Sequence, residues 1–119
     1  MSRKEALAEL IAKVEAGDFD ETGTTPAKFN AFMGLAEDVL PLDVRFLQGE
    51  AWQAYNGSLD AAKSLMMSML PGWRWKIDEH YAELWQRVQV AYSGESIDNP
   101  ARAWLLAILR ALHSMEPDT

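Results

Sequence analysis

Two strand-like segments between two helix-like segments constrain the fold of this chain more than any other feature of its sequence. Apolar and polar residues alternate over Trp73–Ile77 and again over Ala82–Tyr92, with the connection Asp78–Tyr81 between them. Alternation with a period of two is typical of half-buried β-strands. Helical patterns flank the pair at Ser58–Leu70 and at Pro100–Met115. The order predicts an α+β unit built as helix, strand, strand and helix.

Both faces of this predicted hairpin select the same register. With a four-residue connection, the apolar side chains of the two strands share one face, and a slip of one residue would move one set to the wrong side. The predicted pairs are Ile77 with Ala82, Trp75 with Leu84, Trp73 with Gln86, Lys76 with Glu83 and Arg74 with Trp85. The last two pairs predict an ion pair and a cation–π contact on the opposite face.

The N-terminal part of the chain, residues 1–57, predicts helices. Ser2 and Glu5 form a capping-box pattern, and the amphipathic helix behind them ends at Gly17. A second helix begins at Thr25-Pro26, because proline suits the first helical position, and it stops before Pro41.

The segment 42–55 is ambiguous, since its apolar residues suit either a helix or a strand. We predict a helix over Glu50–Tyr55 only. An isolated two-stranded hairpin leaves two edges unpaired and is marginally stable. We therefore expect either a further strand from Leu42–Leu47 or pairing with a second copy of the chain as a homodimer.

The last helix is predicted to begin at Pro100, directly after the capping residues Asp98 and Asn99. Its apolar stripe is broad, as in a helix that lies across a sheet. We expect Trp104 of this helix and Trp75 of the first strand to be buried together in the core.

Composition limits the class of protein. A chain of 119 residues that is 49% hydrophobic suits one compact domain, which we expect to span residues 1–119 with a helical part at 1–57 and the α+β unit at 58–115. The sequence has no cysteine and no apolar run long enough to cross a membrane, so we expect a cytoplasmic location and no membrane partner. Its net charge of −7 argues against nucleic-acid binding, which usually requires a basic surface.

No catalytic pattern is found. The two histidines, His80 and His113, fall on different predicted elements without metal-ligand spacing. No serine lies in a nucleophile elbow, and no glycine-rich phosphate loop precedes a helix. We therefore predict no catalytic, cofactor-binding or metal-binding residue, no cofactor and no enzyme activity.

Three segments carry a resemblance to a known family. They are Tyr55–Ala62, Leu70–Trp75 and Asn99–Trp104, the last continuing through Leu112. Together they resemble small phage and prophage proteins of unknown function that contain the phage alpha-beta-alpha sandwich domain. The resemblance covers about the second half of the chain, and its motifs are structural. It implies a helix–sheet–helix sandwich and a viral, prophage or gene-transfer-particle setting, and it supplies no catalytic residue.

The predicted sheet face opposite the core, here called the outer face, is the candidate interaction surface. It carries an aromatic and basic set: Arg74, Lys76, Trp85, Arg87 and Gln89. Tryptophan and arginine are enriched at binding hot spots. Two interpretations remain open. The outer face is either covered by the N-terminal helices, through Leu7, Leu10, Phe29 and Phe32, or it contacts a partner around Trp85.

Function is predicted by class. The leading hypothesis is a non-catalytic interaction or assembly module that binds a protein partner or itself. The alternative is an acidic inhibitor that imitates nucleic acid and blocks a host DNA-binding protein, although only Glu15, Asp18, Asp20 and Glu21 form an acidic cluster. A hydrolase without a metal is the third possibility.

Overall fold

The computed structural model describes residues 2–19, 27–40, 45–86, 90–96 and 98–116. The elements are α1 (Arg3–Ala16), α2 (Ala27–Val39), α3 (Arg45–Tyr55), α4 (Leu59–Met69), β1 (Arg74–Ile77), β2 (Tyr81–Gln86), β3 (Val90–Glu95) and α5 (Pro100–Met115). The predicted fold class is confirmed: the protein is α+β and mainly helical, with a small antiparallel sheet packed against helices. None of the described helices combines the length and apolar character needed to cross a bilayer.

The sheet has the strand order β1-β2-β3, and both neighbouring pairs are antiparallel. The β1–β2 register is the predicted one over its whole length. Its pairs are Arg74 with Trp85, Trp75 with Leu84, Lys76 with Glu83 and Ile77 with Ala82. Complementary patterns on two faces were therefore sufficient to place this hairpin residue by residue.

The prediction of one long strand over Ala82–Tyr92 is wrong. That segment contains two strands, because β2 ends at Gln86 and the chain returns as β3 with Val90 opposite Gln86. The intervening Arg87-Val88-Gln89, which lie outside the described residues, include no glycine, proline, asparagine or aspartate to signal a turn. Alternation continues across them, so the sequence pattern alone reads as an unbroken strand.

The third strand of the sheet is therefore β3 and not the expected Leu42–Leu47 segment. Residues 41–44 lie outside the described residues, and helix α3 begins at Arg45, five residues before the predicted helix at Glu50. Since β-branched and aromatic residues are only mildly unfavourable in helices, packing against neighbouring elements decides the state of such a segment.

The boundaries of α1 and α5 follow the predicted caps, whereas the predicted start of the second helix at Thr25-Pro26 and its stop at Pro41 lie outside the described residues. Ser2 Oγ accepts a hydrogen bond from the Glu5 N–H at 3.1 Å, and α1 ends at Gly17 in the left-handed conformation with φ 72°. Asn99 Oδ1 accepts a hydrogen bond from the Arg102 N–H at 3.0 Å and opens α5 at Pro100. These side chains satisfy backbone groups that a helix end leaves unpaired.

Helix α5 is the centre of the molecule. It packs against β2 and β3 on one side and against α1, α3 and α4 elsewhere. A helix covered on nearly every side must be apolar nearly all round. Its buried residues are Ala101, Ala103, Trp104, Leu105, Leu106, Ala107, Ile108, Leu109, Ala111 and Leu112.

The closest approach between helix and sheet is at Gly94 of β3. A Cβ atom added there would lie 2.2 Å from the carbonyl oxygen of Ala103 and 2.8 Å from the backbone nitrogen of Ala107. These are backbone atoms of α5, which cannot move away as a flexible side chain could. Glycine is therefore the only residue that permits this separation of α5 from β3.

The apolar side chains of the N-terminal helices pack within the helical layer. Leu7 and Leu10 are fully buried in α1, which contacts α2 and α5. The Phe32 ring meets the Phe19 ring edge-on at 5.1 Å, and the Phe29 ring meets Trp52 at 5.4 Å. These contacts join α2 to the end of α1 and to α3.

The predicted contact of Trp75 with Trp104 is confirmed, whereas the predicted burial of both rings is wrong for one of them. Their ring centroids are 5.5 Å apart. Trp104 is 4% exposed, but Trp75 is 37% exposed. The difference arises because Trp75 lies on the edge strand β1, whereas α5 packs mainly on β2 and β3.

Replacing Gly94 with alanine should test the central contact. We expect the Gly94→Ala variant to lose about 3 kcal/mol of unfolding free energy, because overpacking against a backbone forces α5 away from the sheet. Gly34→Ala in α2 is the matched control, since a Cβ added there would have no atom of a neighbouring element within 4 Å. The control should be unchanged or more stable by up to about 1 kcal/mol. Equal stability of the two variants in urea denaturation would contradict the contact.

The two tryptophans should differ in their effect on stability. Trp104→Ala should cost about 3–5 kcal/mol, as for a large buried side chain, whereas Trp75→Ala should cost roughly 2 kcal/mol because part of the ring is already in water. Chemical denaturation followed by far-UV circular dichroism measures both values. A Trp104→Ala protein with the wild-type melting temperature would refute the packing described above.

Candidate functional site

The outer face of the sheet places part of the predicted interaction surface together. Side chains two residues apart on a strand share a face, so the register brings Arg74 and Lys76 of β1 beside Trp85 of β2. Arg74 and Lys76 are exposed, and Trp85 is half-buried. The other two predicted residues, Arg87 and Gln89, lie outside the described residues.

Two predicted side-chain contacts on this face are wrong. Among the described residues, Lys76 makes no ion pair with Glu83, and Arg74 makes no cation–π contact with Trp85. Glu83 instead accepts a hydrogen bond of 2.9 Å from the hydroxyl of Tyr81, its neighbour two residues along β2. The cations of Arg74 and Lys76 therefore face solvent.

The hydrogen bond to Glu83 raises the pKa of Tyr81 above its ordinary value. The bond stabilises the protonated hydroxyl, and partial desolvation and the nearby Glu83 charge act in the same direction. Tyr81 is thus held as a neutral hydrogen-bond donor on the outer face. The side chain of Glu83 is directed to this hydroxyl and, within the described part of the chain, makes no ion pair with Lys76, so the two cations of β1 keep their side chains exposed.

A cleft of about 540 Å³ lies between the end of α1, the start of β2, the end of β3 and the first turns of α5. Its walls combine apolar and titratable side chains. The residues that line it are Val14, Glu15, Ala16, Gly17, His80, Tyr81, Glu95, Ser96, Arg102 and Leu106. The cleft was not predicted, because two of its walls meet through the β2–β3 pairing that the sequence pattern does not indicate.

The polar groups of the cleft are largely occupied by structural contacts. His80 Nδ1 accepts a hydrogen bond from the Asp98 N–H at 3.3 Å. Arg102 Nε donates to the Tyr55 carbonyl oxygen at 2.9 Å, with the guanidinium 3.8 Å from the centroid of the Tyr55 ring. Glu15 pairs with Arg110. These contacts tie α5 to α1, α3 and the sheet.

Known catalytic arrangements require a nucleophile hydrogen-bonded to a base, or several ligands that converge on a metal ion. Within the described parts of the chain, no hydroxyl group donates a hydrogen bond to His80, and no group of three potential metal ligands forms. His113 lies in the last turn of α5, where the helix dipole favours a basic side chain.

Two buried polar atoms of the described residues lack a hydrogen-bond partner: Trp104 Nε1 and Glu50 Oε2. The other oxygen of Glu50 accepts a hydrogen bond of 2.7 Å from Ser64 Oγ, which connects α3 to α4. An unpaired buried donor lowers the free energy of unfolding by about 1–3 kcal/mol, so the Trp104 indole stabilises the fold through its apolar contacts.

The outer face is the stronger candidate for a binding surface, because its basic side chains are exposed while those of the cleft are engaged within the protein. Three of its five predicted residues, Arg74, Lys76 and Trp85, lie together on one face of the sheet. Comparison of the chain with protein-family models, with curated proteins and with solved structures finds no match to any of them.

Proposed function

We propose that this protein is a non-catalytic interaction module that binds a protein partner through the outer face of its sheet. The observation that supports the proposal is the exposed pair Arg74 and Lys76 beside the half-buried Trp85, on a chain with a net charge of −7. Arginine and tryptophan contribute disproportionately to binding energy at protein interfaces. A local basic surface on an acidic protein favours a partner with acidic groups at the contact.

The scaffold suits such a role. Strand β2 is held from behind by α5, so the side chains of the outer face stand on a packed support that does not need to rearrange when a partner binds. The resemblance to the phage alpha-beta-alpha sandwich domain supports a phage or prophage setting, and the absence of cysteine supports a cytoplasmic location. Assembly of a viral particle or control of a host protein are both activities for which a small binding module is suitable.

A partner with a different sequence is favoured over a homodimer. The expectation of a homodimer started from an isolated two-stranded hairpin, which is marginally stable alone. Strand β3 supplies the third strand within the same chain, so this reason for pairing with a second copy no longer applies.

The alternative of an acidic inhibitor receives less support. Imitation of nucleic acid requires many carboxylates that act together along one face. Of the predicted acidic cluster, Glu15 is paired with Arg110, Asp18 is exposed, and Asp20 and Glu21 lie outside the described residues. If this alternative were correct, reversal of the acidic cluster rather than of the basic pair would abolish binding.

Reversing the charge of the basic pair should abolish partner binding without unfolding the protein. The variant is Arg74→Glu with Lys76→Glu, and both side chains are exposed, so we expect the melting temperature to stay within a few degrees of wild type. Lys63→Glu on α4 is the matched control, because it also reverses an exposed cation. Proteins captured from host lysate by the wild type should be retained by the control and lost with the double variant. Equal capture by all three proteins would contradict the proposal.

Replacing Trp85 with serine separates binding from folding. We expect a loss of about 1 kcal/mol of stability or less, as for a cross-strand contact on an exposed face, together with a clear loss of partner binding. Thermal denaturation and quantitative capture measure the two effects. An unfolded variant would show that Trp85 belongs to the core, and an unchanged variant would exclude it from the interaction surface.

A further inference from the structure

Among the described residues, β1 is an edge strand whose outward backbone groups make no hydrogen bond. In an antiparallel pair, alternate residues direct their N–H and C=O groups toward the neighbouring strand. The Asp78 N–H donates to the Tyr81 carbonyl oxygen at 2.7 Å, and Asp78 lies two residues beyond Lys76 and four beyond Arg74. The backbone groups of Arg74, Lys76 and Asp78 therefore face β2. Trp75 and Ile77 direct their backbone groups away from the sheet.

The opposite edge of the sheet, at β3, is closed by a side chain. The Ser96 N–H donates to the His80 carbonyl oxygen, so the backbone groups of Ser96 face β2. Because alternate residues face the neighbouring strand, Ser93, three residues earlier, directs its backbone groups away from the sheet. Arg110 Nη1 donates to the Ser93 carbonyl oxygen at 2.6 Å, and the same guanidinium pairs with Glu15. The β3 edge thus has a side chain bonded to one outward carbonyl, whereas no such bond to β1 is found within the described parts of the chain. Arg74, Trp75 and Lys76 are all exposed along β1.

The side chains of β1 define the chemistry of a strand that could pair with this edge. Arg74 and Lys76 point to the outer face, and Trp75 and Ile77 point to the other face. A strand paired with β1 places its own side chains in the same alternation. Carboxylates two residues apart would face Arg74 and Lys76, and an apolar residue between them would lie beside the exposed part of Trp75.

A second copy of β1 does not meet this requirement. Pairing about a two-fold axis at Trp75 places Arg74 opposite Lys76 twice. An axis at Arg74 or at Lys76 places that cation opposite itself. An axis at Ile77 pairs Lys76 with Asp78. The same axis sets Arg74 opposite His80, with no carboxylate facing it. Like charges directly opposite each other destabilise a sheet, and natural edge strands carry cations for this reason. The two cations therefore disfavour most self-pairing registers, and an acidic strand satisfies both of them.

We propose that β1 binds an extended acidic segment of a partner protein as a fourth strand of the sheet. The segment carries two carboxylates two residues apart with a β-branched apolar residue between them. Backbone hydrogen bonds to Trp75 and Ile77 supply affinity, and the carboxylates facing Arg74 and Lys76 supply selectivity. This inference rests on the proposed function, since it names the partner chemistry of the same surface.

A defined peptide tests the inference. The probe is fluorescein-labelled Thr-Glu-Val-Glu-Val-Thr amide, and the matched control is Thr-Lys-Val-Lys-Val-Thr amide. By fluorescence anisotropy the glutamate peptide should bind the wild-type protein at least tenfold more tightly than the lysine peptide does. The Arg74→Glu, Lys76→Glu variant should show the reverse preference. A glutamate peptide that binds no better than the lysine peptide overturns the inference.

The backbone part of the inference needs a separate readout. Amide hydrogen exchange of the wild-type protein should slow at least tenfold at Trp75 and Ile77 when the glutamate peptide is added, because these N–H groups become bonded. Ile77→Pro removes one outward N–H at an edge position that tolerates proline, and it should weaken binding at least tenfold relative to Ile77→Ala. Binding without protection of these amides shows a contact through side chains alone and overturns strand addition.

The outcomes separate this inference from the proposed function. If capture of the native partner depends on Arg74 and Lys76 but exchange at Trp75 and Ile77 is unchanged in the complex, the proposed function stands and strand addition fails. If capture is independent of both cations, the proposed function itself fails. A solution mass of twice 13.4 kDa with protected β1 amides in the absence of peptide assigns the edge to a second copy and overturns the choice of occupant.

Discussion

The contact between Gly94 and the backbone of α5 is the constraint on which the rest of the structure depends. Helix α5 and strand β3 approach closely there because glycine has only a hydrogen atom at the position where every other residue has its Cβ. Small residues on the helix, Ala103 and Ala107, complete the fit. That close approach allows one helix to bury residues against β2 and β3 while its remaining sides receive α1, α3 and α4. A small chain thereby assembles one connected core around a single helix.

The features that could be predicted from sequence were those with two independent local signals. The β1–β2 register had complementary patterns on two faces, and the ends of α1 and α5 had capping residues with the correct spacing, Ser2 and Asn99. The turn after Gln86 lacked any turn residue, so β3 could not be separated from β2. The central role of Gly94 was missed for the same reason, since a glycine is required there only because β3 lies against α5. Arg74 and Lys76 were placed on the correct face because that placement needs only the alternation of one strand.

The two edges of the sheet show how one helix can protect part of a sheet and leave another part open. Arg110 projects from α5 to the outward carbonyl of Ser93, so the helix that fills the core also occupies part of the edge at β3. Strand β1 lies two strand spacings from β3, roughly 10 Å, and α5 reaches it through the contact of Trp104 with Trp75 on the inner face, not at its outer edge. Its protection comes instead from charge, through Arg74 and Lys76. Charge discriminates among incoming strands, whereas a covering side chain excludes all of them.

The position of α5 along the chain has a consequence for synthesis. Every element that packs against α5 precedes it in sequence, so the ribosome releases four helices and three strands before their common support exists. Until Leu112 has emerged, the apolar side chains of α1, α3 and α4 that pack on α5 lack that partner, although α1 contacts α2 and α3 contacts α4 without it. Contacts between distant parts of a chain form late and slow the rate of folding. The surfaces of these elements that α5 covers therefore stay exposed to other chains until α5 itself has been synthesised.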